Sequence, residues 1–341
     1  MSGLVERKLA VQRLVRKFAG LTTCLSCLAF AHADEPAVPA DTGVTQVSAT
    51  ATSALNPANV VVLSYKFQPG QFVYYTGTSR VQYITQLGDQ SRFSTLQTNE
   101  TGTHFRVVTV DENGLALIEP VIDRTRMTAK MEGKETVEYD SAKAVDPQSQ
   151  FRAIQDAIGR TVARFQVAPN GKLVNATVVD TTAPQALRDA AGKLDTRFPY
   201  LSLLPSTPVS VGDKWREDYS IVVINEGLKQ PLPMRRVYEL TAVANGIARI
   251  SFKTVVLTPL NEAELEKQVI QQTPTGTIEF DIERGLVRSY TSNVDKTVLN
   301  AFGQQSLLNV TGKSVETLAS SDGDTVPPTG VADRSAAGTK D

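Results

Sequence analysis

The segment Lys214-Trp-Arg-Glu-Asp-Tyr-Ser-Ile-Val-Val223 decides the fold class, because its two sets of alternate residues differ in polarity. One set is mostly apolar: Trp215, Glu217, Tyr219, Ile221 and Val223. The other set holds most of the charge: Lys214, Arg216, Asp218, Ser220 and Val222. Successive side chains of a β-strand point to opposite faces, so this period of two indicates an antiparallel strand with one buried face and one wet face.

The same alternation recurs over residues 60–318, and turn sequences separate the alternating runs. Asn-Gly pairs, which tolerate positive φ and favour hairpins, close three of these turns: Asn113-Gly114, Asn170-Gly171 and Asn245-Gly246. Helical periodicity is confined to residues 150–162, 183–194 and 260–270. We therefore predict an α+β fold that is mostly antiparallel β, a half-barrel or sandwich-like sheet with a few short helices.

The order of these features predicts an internally duplicated sheet. A Gly-led aromatic strand, a hairpin, an Asn-Gly turn, a helix and a closing hairpin occur in residues 60–198 and again in residues 212–318. Residues 199–211 contain three prolines and form a Pro-rich crossover between the two β-rich repeats. Chance recurrence of common turns is the alternative.

The amino-terminal residues predict export. Basic residues precede an apolar run over residues 18–31, and Ala31-His-Ala33 follows, which is the pattern of a secretory signal peptide over residues 1–33. A retained membrane anchor and lipidation at Cys24 or Cys27 are the alternatives. Residues 34–59 and 319–341 lack core-forming residues, so we expect a disordered linker and a disordered tail. The expected location is periplasmic, cell-surface or secreted.

Several segments recur in an order that resembles a known family. They are Leu63-Ser-Tyr-Lys-Phe-Gln-Pro-Gly-Gln71, Asp111-Glu-Asn-Gly114, Pro169-Asn-Gly-Lys-Leu173 and Pro208-Val-Ser-Val-Gly-Asp-Lys-Trp215. Over about residues 60–318 the chain resembles an uncharacterised family of exported bacterial proteins, a domain of unknown function. The resemblance implies no catalytic residues, because none are established for that family. The long hairpins and few helices are similar, as a fold analogy, to the periplasmic lipoprotein carriers.

The residues available for chemistry argue against most enzyme classes. Both cysteines lie in the predicted signal peptide, and His104 is the one histidine of the predicted mature chain, so we expect no metal site and no cofactor. Four acidic residues leave open a carboxylate-based hydrolase of the glycoside type: Glu119, Asp123, Asp281 and Glu283. The alternative for these acids is a set of solvated charges paired with nearby arginines.

Four aromatic residues are the candidates for lining a ligand site: Tyr75, Tyr83, Trp215 and Tyr219. Each shares a strand face with apolar neighbours, so the set predicts either an amphipathic lining or an ordinary core. We predict a non-catalytic extracytoplasmic binding or envelope-assembly protein that holds a hydrophobic ligand against a curved sheet. A purely structural envelope component is the remaining alternative.

Partners follow from the same features. We expect a hydrophobic small molecule, a lipid or an envelope protein. The sequence has no basic patch interleaved with aromatics, so we expect no nucleic acid. After processing we expect no stable transmembrane span.

Overall fold

The computed structural model describes residues 60–88, 91–143, 147–191, 197–225 and 227–319. The predicted signal peptide and linker lie outside these ranges, as does the predicted tail beyond Ala319. Within them, none of the helices is long and apolar enough to cross a membrane.

Strands dominate the described residues. The first half of the chain forms β1 (Phe72–Leu87), β2 (Ser91–Val110), β3 (Ala116–Met131), β4 (Val137–Asp140), β5 (Ala163–Val167) and β6 (Leu173–Val178). The second half forms β7 (Lys214–Asn225), β8 (Leu228–Ala244), β9 (Ile247–Val256), β10 (Thr275–Asp281), β11 (Leu286–Leu299) and β12 (Ser306–Leu318). The Asn245-Gly246 turn joins β8 to β9 with positive φ at both residues, as the sequence predicts.

All these strands belong to one 12-stranded sheet, in the order β6-β5-β3-β2-β1-β12-β11-β10-β9-β8-β7, with β4 pairing beside β3. Neighbouring strands are antiparallel, and the sheet is not closed, which confirms the predicted fold class. The first and last strands pair at its centre, so two meanders meet there as one continuous sheet. The duplication of 60–198 as 212–318 stays a prediction.

The three predicted helices form within the expected segments; the first and third are shorter than predicted, and residues 192–194 of the second lie outside the described residues. They are α1 (Arg152–Ala157), which follows a 3-10 turn over Ser149–Phe151, α2 (Gln185–Ala191) and α3 (Ala263–Val269). The predicted helix over 150–162 ends early because Ile158 is extended and Gly159 has a φ of 69°. A left-handed residue stops an α-helix, and β5 begins soon afterwards at Ala163.

The register places most large apolar side chains on one face of the sheet, which we call the covered face. It includes Tyr75, Phe105, Tyr238, Ile250 and Phe280, all nearly inaccessible to solvent. The three helices pack on this face as well, through separate apolar clusters. The opposite, open face carries charged and polar residues, in agreement with the alternation in the sequence.

Two extended segments fill one end of the covered face, and we call residues 60–67 and 198–209 the plug segments. They pair with each other through backbone hydrogen bonds of 2.8 and 2.9 Å between Val61 and Val209. Tyr65 packs edge-on against Phe280, and Tyr200 stacks on Tyr75 with ring centroids 4.9 Å apart. This end of the covered face is therefore an apolar core.

Gly171 shows how closely the plug segments approach the hairpin turns. Its φ is 82°, and a Cβ added there would lie 2.6 Å from both the Ser202 carbonyl oxygen and the Tyr65 ring. Only glycine combines that backbone conformation with such a close contact. The predicted Asn170-Gly171 turn therefore also packs closely against both plug segments.

Candidate ligand-binding groove

Beyond the plug, the central strands carry rows of cross-strand partners on the covered face. The row nearest the plug, the inner row, consists of Tyr290, Glu316, Gly77, Thr101 and Thr125, one from each of β11, β12, β1, β2 and β3. All five are buried. Most of these positions are polar or lack a side chain, although they belong to the face that forms the core.

The next two rows contain small and polar side chains and are partly exposed. The middle row is Ser292, Ser314, Ser79, Asn99 and Met127, and the outer row is Val294, Gly312, Val81, Gln97 and Ala129. The hydroxyls of Ser314 and Ser79 are 2.9 Å apart and form a hydrogen bond. Five of these ten positions are Ser, Gly or Ala, and all ten are partly exposed, so we call these two rows the central groove.

Apolar clusters flank the central groove on two sides. On one side Val81 and Val294 pack against a cluster formed by Ile270, Val298 and neighbouring residues of β12. On the other side Met127 packs against Phe151 and other side chains of the β4–α1 region. A polar floor between apolar walls is the arrangement expected for an amphipathic ligand, in which few polar groups set the orientation.

Glu316 is the main electrostatic feature of the site. Its side chain is buried, with 7% of the residue exposed, and it extends over the backbone of Gly77. A Cβ at Gly77 would lie 2.6 Å from the Thr101 hydroxyl and 2.9 Å from a Glu316 carboxylate oxygen. Burial raises the pKa of Glu316 from 4.5 to about 7, and no cation offsets that effect among the described residues.

Glu217, on the same face at the edge of the sheet, shows the opposite arrangement. Its carboxylate lies 2.6 Å from the Arg197 guanidinium and accepts a hydrogen bond of 2.9 Å from the Tyr238 hydroxyl. Burial alone would raise the pKa of Glu217, but Arg197 and Arg236 lower it on balance. Arginines thus stabilise the charged form of Glu217, whose side chain is 21% exposed, whereas the more deeply buried Glu316 has no cation beside it.

The predicted lining residues Tyr75 and Tyr83 occupy different parts of β1. Tyr75 is buried against the plug, where its hydroxyl donates to the Val287 carbonyl at 2.9 Å. Tyr83 lies beyond the outer row of the groove, is partly exposed, and accepts a hydrogen bond of 2.8 Å from Gln271. Eight residues of strand, about 27 Å, separate the two. Of this pair, Tyr83 alone adjoins the groove.

Trp215 and Tyr219 lie on the edge strand β7, six strands from β1. Trp215 is 9% exposed, stacks on Tyr238, and donates its indole N–H to the Leu203 carbonyl of the plug at 2.8 Å. The Arg197 guanidinium lies 3.5 Å above the Tyr219 ring. The structure thus gives both residues the packing role that was the alternative for them, and their role as ligand lining stays a prediction.

The four candidate carboxylates do not converge. Asp123 bonds to His104 Nδ1 at 2.7 Å, and Glu119 pairs with Arg164 at 2.7 Å, both on β3. Asp281 accepts the backbone N–H of Arg284 in the β10–β11 turn. Glu283 follows in that same turn, where its backbone carbonyl accepts a hydrogen bond from Lys66. Glu119 and Asp123 thus lie on β3, and Asp281 and Glu283 lie in the β10–β11 turn. Basic side chains lie near both pairs of acids.

Sequence reasoning missed Glu316, although a signal for it exists. Leu308, Val310 and Leu318 share its parity in β12, so an alternating pattern assigns Glu316 to the buried face. A charged residue at a buried position of a strand is unusual. This buried acid could have indicated the site from the sequence. The small polar residues of the middle row on β11, β1 and β2 can be recognised only when the pairing register is known.

The fold and the groove define a class of protein: an open antiparallel sheet with one plugged end and a polar-floored groove at its centre. No family model matches the chain, and no curated protein matches it. The resemblance to the uncharacterised exported family therefore stays a prediction.

Several solved structures match, and two of them show how weak the similarity is. One, entitled "Lipid-protein interactions in lipovitellin", has a TM-score of 0.41 and 13% identity over 75% of this chain and 26% of that chain. The other, "Structure of DynF from the Dynemicin Biosynthesis Pathway of Micromonospora chersina", has a TM-score of 0.22 and 6% identity over 87% of this chain and 96% of that chain. This chain spans about a quarter of the lipovitellin chain. Similarity at this level carries no functional argument.

Proposed function

We propose that this protein binds an amphipathic ligand in the central groove and has no catalytic role. The apolar part of the ligand lies along Val81, Val294 and Met127, and its polar end faces the serines of the middle row and Glu316. Both kinds of surface are contiguous in the register of the sheet: the middle row separates Val81 and Val294 from the row of Glu316, and Met127 belongs to the middle row.

The observation that carries the proposal is the burial of Glu316 on the covered face with no cation beside its carboxyl group. At neutral pH a carboxyl group whose pKa is raised from 4.5 to about 7 costs about 3 kcal/mol of folding stability. A buried carboxyl group with a raised pKa and no cation beside it is a candidate for a functional site. A ligand that donates a hydrogen bond to Glu316 would offset this cost.

A binding role also agrees with the placement of the remaining acidic residues. Glu119 and Asp123 are engaged by Arg164 and His104, away from the groove on the open face. Asp281 is engaged by a turn amide. We propose that the protein acts outside the cytoplasm, as its predicted signal peptide indicates, and that its ligand comes from the cell envelope.

Ser79→Leu tests the proposal by filling the groove. We expect the larger side chain to weaken binding of the uncharged fluorescent probe N-phenyl-1-naphthylamine by about tenfold or more, because it occupies the space above the middle row. The measurement is a fluorescence titration of purified protein, with circular dichroism to show that the variant folds.

Arg80→Leu is the matched control, since Arg80 is the next residue of β1 and is exposed on the open face. We expect probe binding to Arg80→Leu to equal that of the unmodified protein. Equal binding to the folded Ser79→Leu variant would refute a ligand site in the central groove.

A further inference from the structure

We propose that the ligand of the central groove is an amphiphile with a cationic, ammonium-type polar end, which pairs with the Glu316 carboxylate. This inference rests on the proposed function and adds the charge of the ligand. It stands on the position of one buried acid at the inner end of a groove whose floor offers no positive charge.

The composition of the three rows decides the sign of that charge. Among their fifteen positions Glu316 is the one acid, and none is Lys, Arg or His. An anionic end such as a carboxylate or phosphate would therefore meet a like charge and no cation. An ammonium end would meet its opposite charge, together with the hydroxyls of Ser79 and Ser314 as acceptors.

The nearest charged side chains on the same face do not change this balance. Arg236, Arg197 and Glu217 belong to one ion-paired group at the edge of the sheet. Arg236 lies on β8, four strands from β12, and its guanidinium acts on Tyr290, the cross-strand neighbour of Glu316. Arg284 of the β10–β11 turn acts on Tyr75. Neither cation offsets the effect of burial on Glu316 itself. Lys296 shares the parity of the groove residues on β11, but it lies beyond the outer row and is exposed.

The titratable groups that face Glu316 from neighbouring strands are Tyr75 on β1 and Tyr290 on β11. Burial raises the pKa of each phenol above its usual range, so both stay neutral between pH 5 and pH 9. The remaining neighbours in the inner row, Gly77, Thr101 and Thr125, do not titrate. Glu316 is therefore the group that sets the pH dependence within the site.

A second buried group lies beside the inner row. The hydroxyl oxygen of Thr103, on β2 opposite Tyr75, has no hydrogen-bond partner among the described residues. Thr103 is the next covered-face residue of β2 after Thr101, on the side of the plug. The Thr103 hydroxyl without a hydrogen-bond partner and the Glu316 carboxyl group without a cation thus lie at the inner end of the same groove, where the polar end of a ligand would lie.

The test compares three ligands that share one apolar chain: decylamine, 1-decanol and decanoate. Each displaces N-phenyl-1-naphthylamine from the full-length protein at about pH 5.5 and about pH 8.5, and Glu316→Gln is measured in parallel. We expect decylamine to bind about tenfold or more tightly at the higher pH, because the ammonium favours the ionised carboxyl group. Glu316→Gln should bind decylamine with the same affinity at both pH values.

The outcomes separate this inference from the proposed function. Decanol or decanoate binding as tightly as decylamine at the higher pH, or an unchanged pH dependence in Glu316→Gln, overturns the cationic end. If Ser79→Leu still weakens all three ligands in that case, the groove remains the binding site. If Ser79→Leu weakens none of them, the proposed function fails as well.

Discussion

The plugged end and the groove end of the covered face are built from the same central strands but filled in different ways. Along β1 the covered-face residues run from Val73 and Tyr75, both buried, to Ser79 and Val81, both partly exposed. At the plugged end, chain segments from outside the sheet supply aromatic rings that complete the packing. At the groove end, the covered face carries small side chains and the Glu316 carboxyl group instead of aromatic rings.

The difference indicates that the groove is not a poorly packed extension of the core. A sheet that needed only stability would continue the large apolar residues along each strand, as β9 does from Ala248 to Phe252. Instead four neighbouring strands carry serine or asparagine in the same row. We infer that the plugged end provides stability and that the groove end gives up some of it for binding.

The largest expected effect comes from truncation at the plugged end. Tyr75→Ala should cost about 3–5 kcal/mol of unfolding free energy, because it removes a buried ring and its hydrogen bond to Val287. Tyr74→Ala is the control, since Tyr74 is 46% exposed on the open face, and it should cost less than about 1 kcal/mol. Urea denaturation measures both values, and equal costs would contradict the assignment of the two faces.

Trp215→Ala should lower the unfolding free energy by about 3–5 kcal/mol, the range for truncation of large aromatic side chains. Trp215 is the sole tryptophan, so its fluorescence reports directly on the plugged end. We expect a blue-shifted emission maximum, weak quenching by iodide and no spectral change when decylamine is added. A change on ligand addition would place the ligand against the plug instead of the groove.

Glu316→Gln should stabilise the protein at pH 8 by about 3 kcal/mol and leave it unchanged near pH 4. The folded chain keeps the Glu316 proton up to about pH 7, whereas the unfolded chain loses it near pH 4.5. Stability of the unmodified protein therefore falls as the pH rises from about 4.5 to 7, and the loss is complete above that window. Denaturation of both proteins across this range measures the difference, and parallel pH profiles would contradict the account.

The smallest expected effect is at the outer end of the groove. Tyr83→Phe removes one partly exposed hydrogen bond, that from Gln271, and should cost about 1 kcal/mol or less. Probe affinity should change by less than about threefold, because the ring and its apolar packing remain. A loss of stability as large as that of Tyr75→Ala would show that the groove end belongs to the same tightly packed core.

Much of the fold could be predicted from local sequence patterns. Alternation in 214–223 and the Asn245-Gly246 turn both depend on neighbouring residues, and both agree with the structure. The first helix is shorter than predicted, since apolar periodicity continues past Gly159, whose backbone conformation stops the helix. Local patterns specify elements better than they specify where those elements end.

The site depended on long-range pairing, which a single sequence does not display. Ser79 and Ser314 are neighbours because β1 pairs with β12, across 235 residues of chain. The aromatic residues Tyr75 and Trp215 were visible in the sequence, but in the structure they pack with the plug segments, whose path was not predicted. Small polar residues carry little hydrophobic signal, so the rows that form the groove could not be recognised before the register was known.

Native mass spectrometry of protein purified from the envelope of its own host tests the central claim most directly. We predict that the unmodified protein and Arg80→Leu retain a bound amphiphile whose mass corresponds to a compound with an amine or ammonium group. Ser79→Leu should be recovered without this compound. Recovery of the unmodified protein without any adduct, or of Ser79→Leu with the same adduct, would contradict a ligand-binding groove at the centre of the sheet.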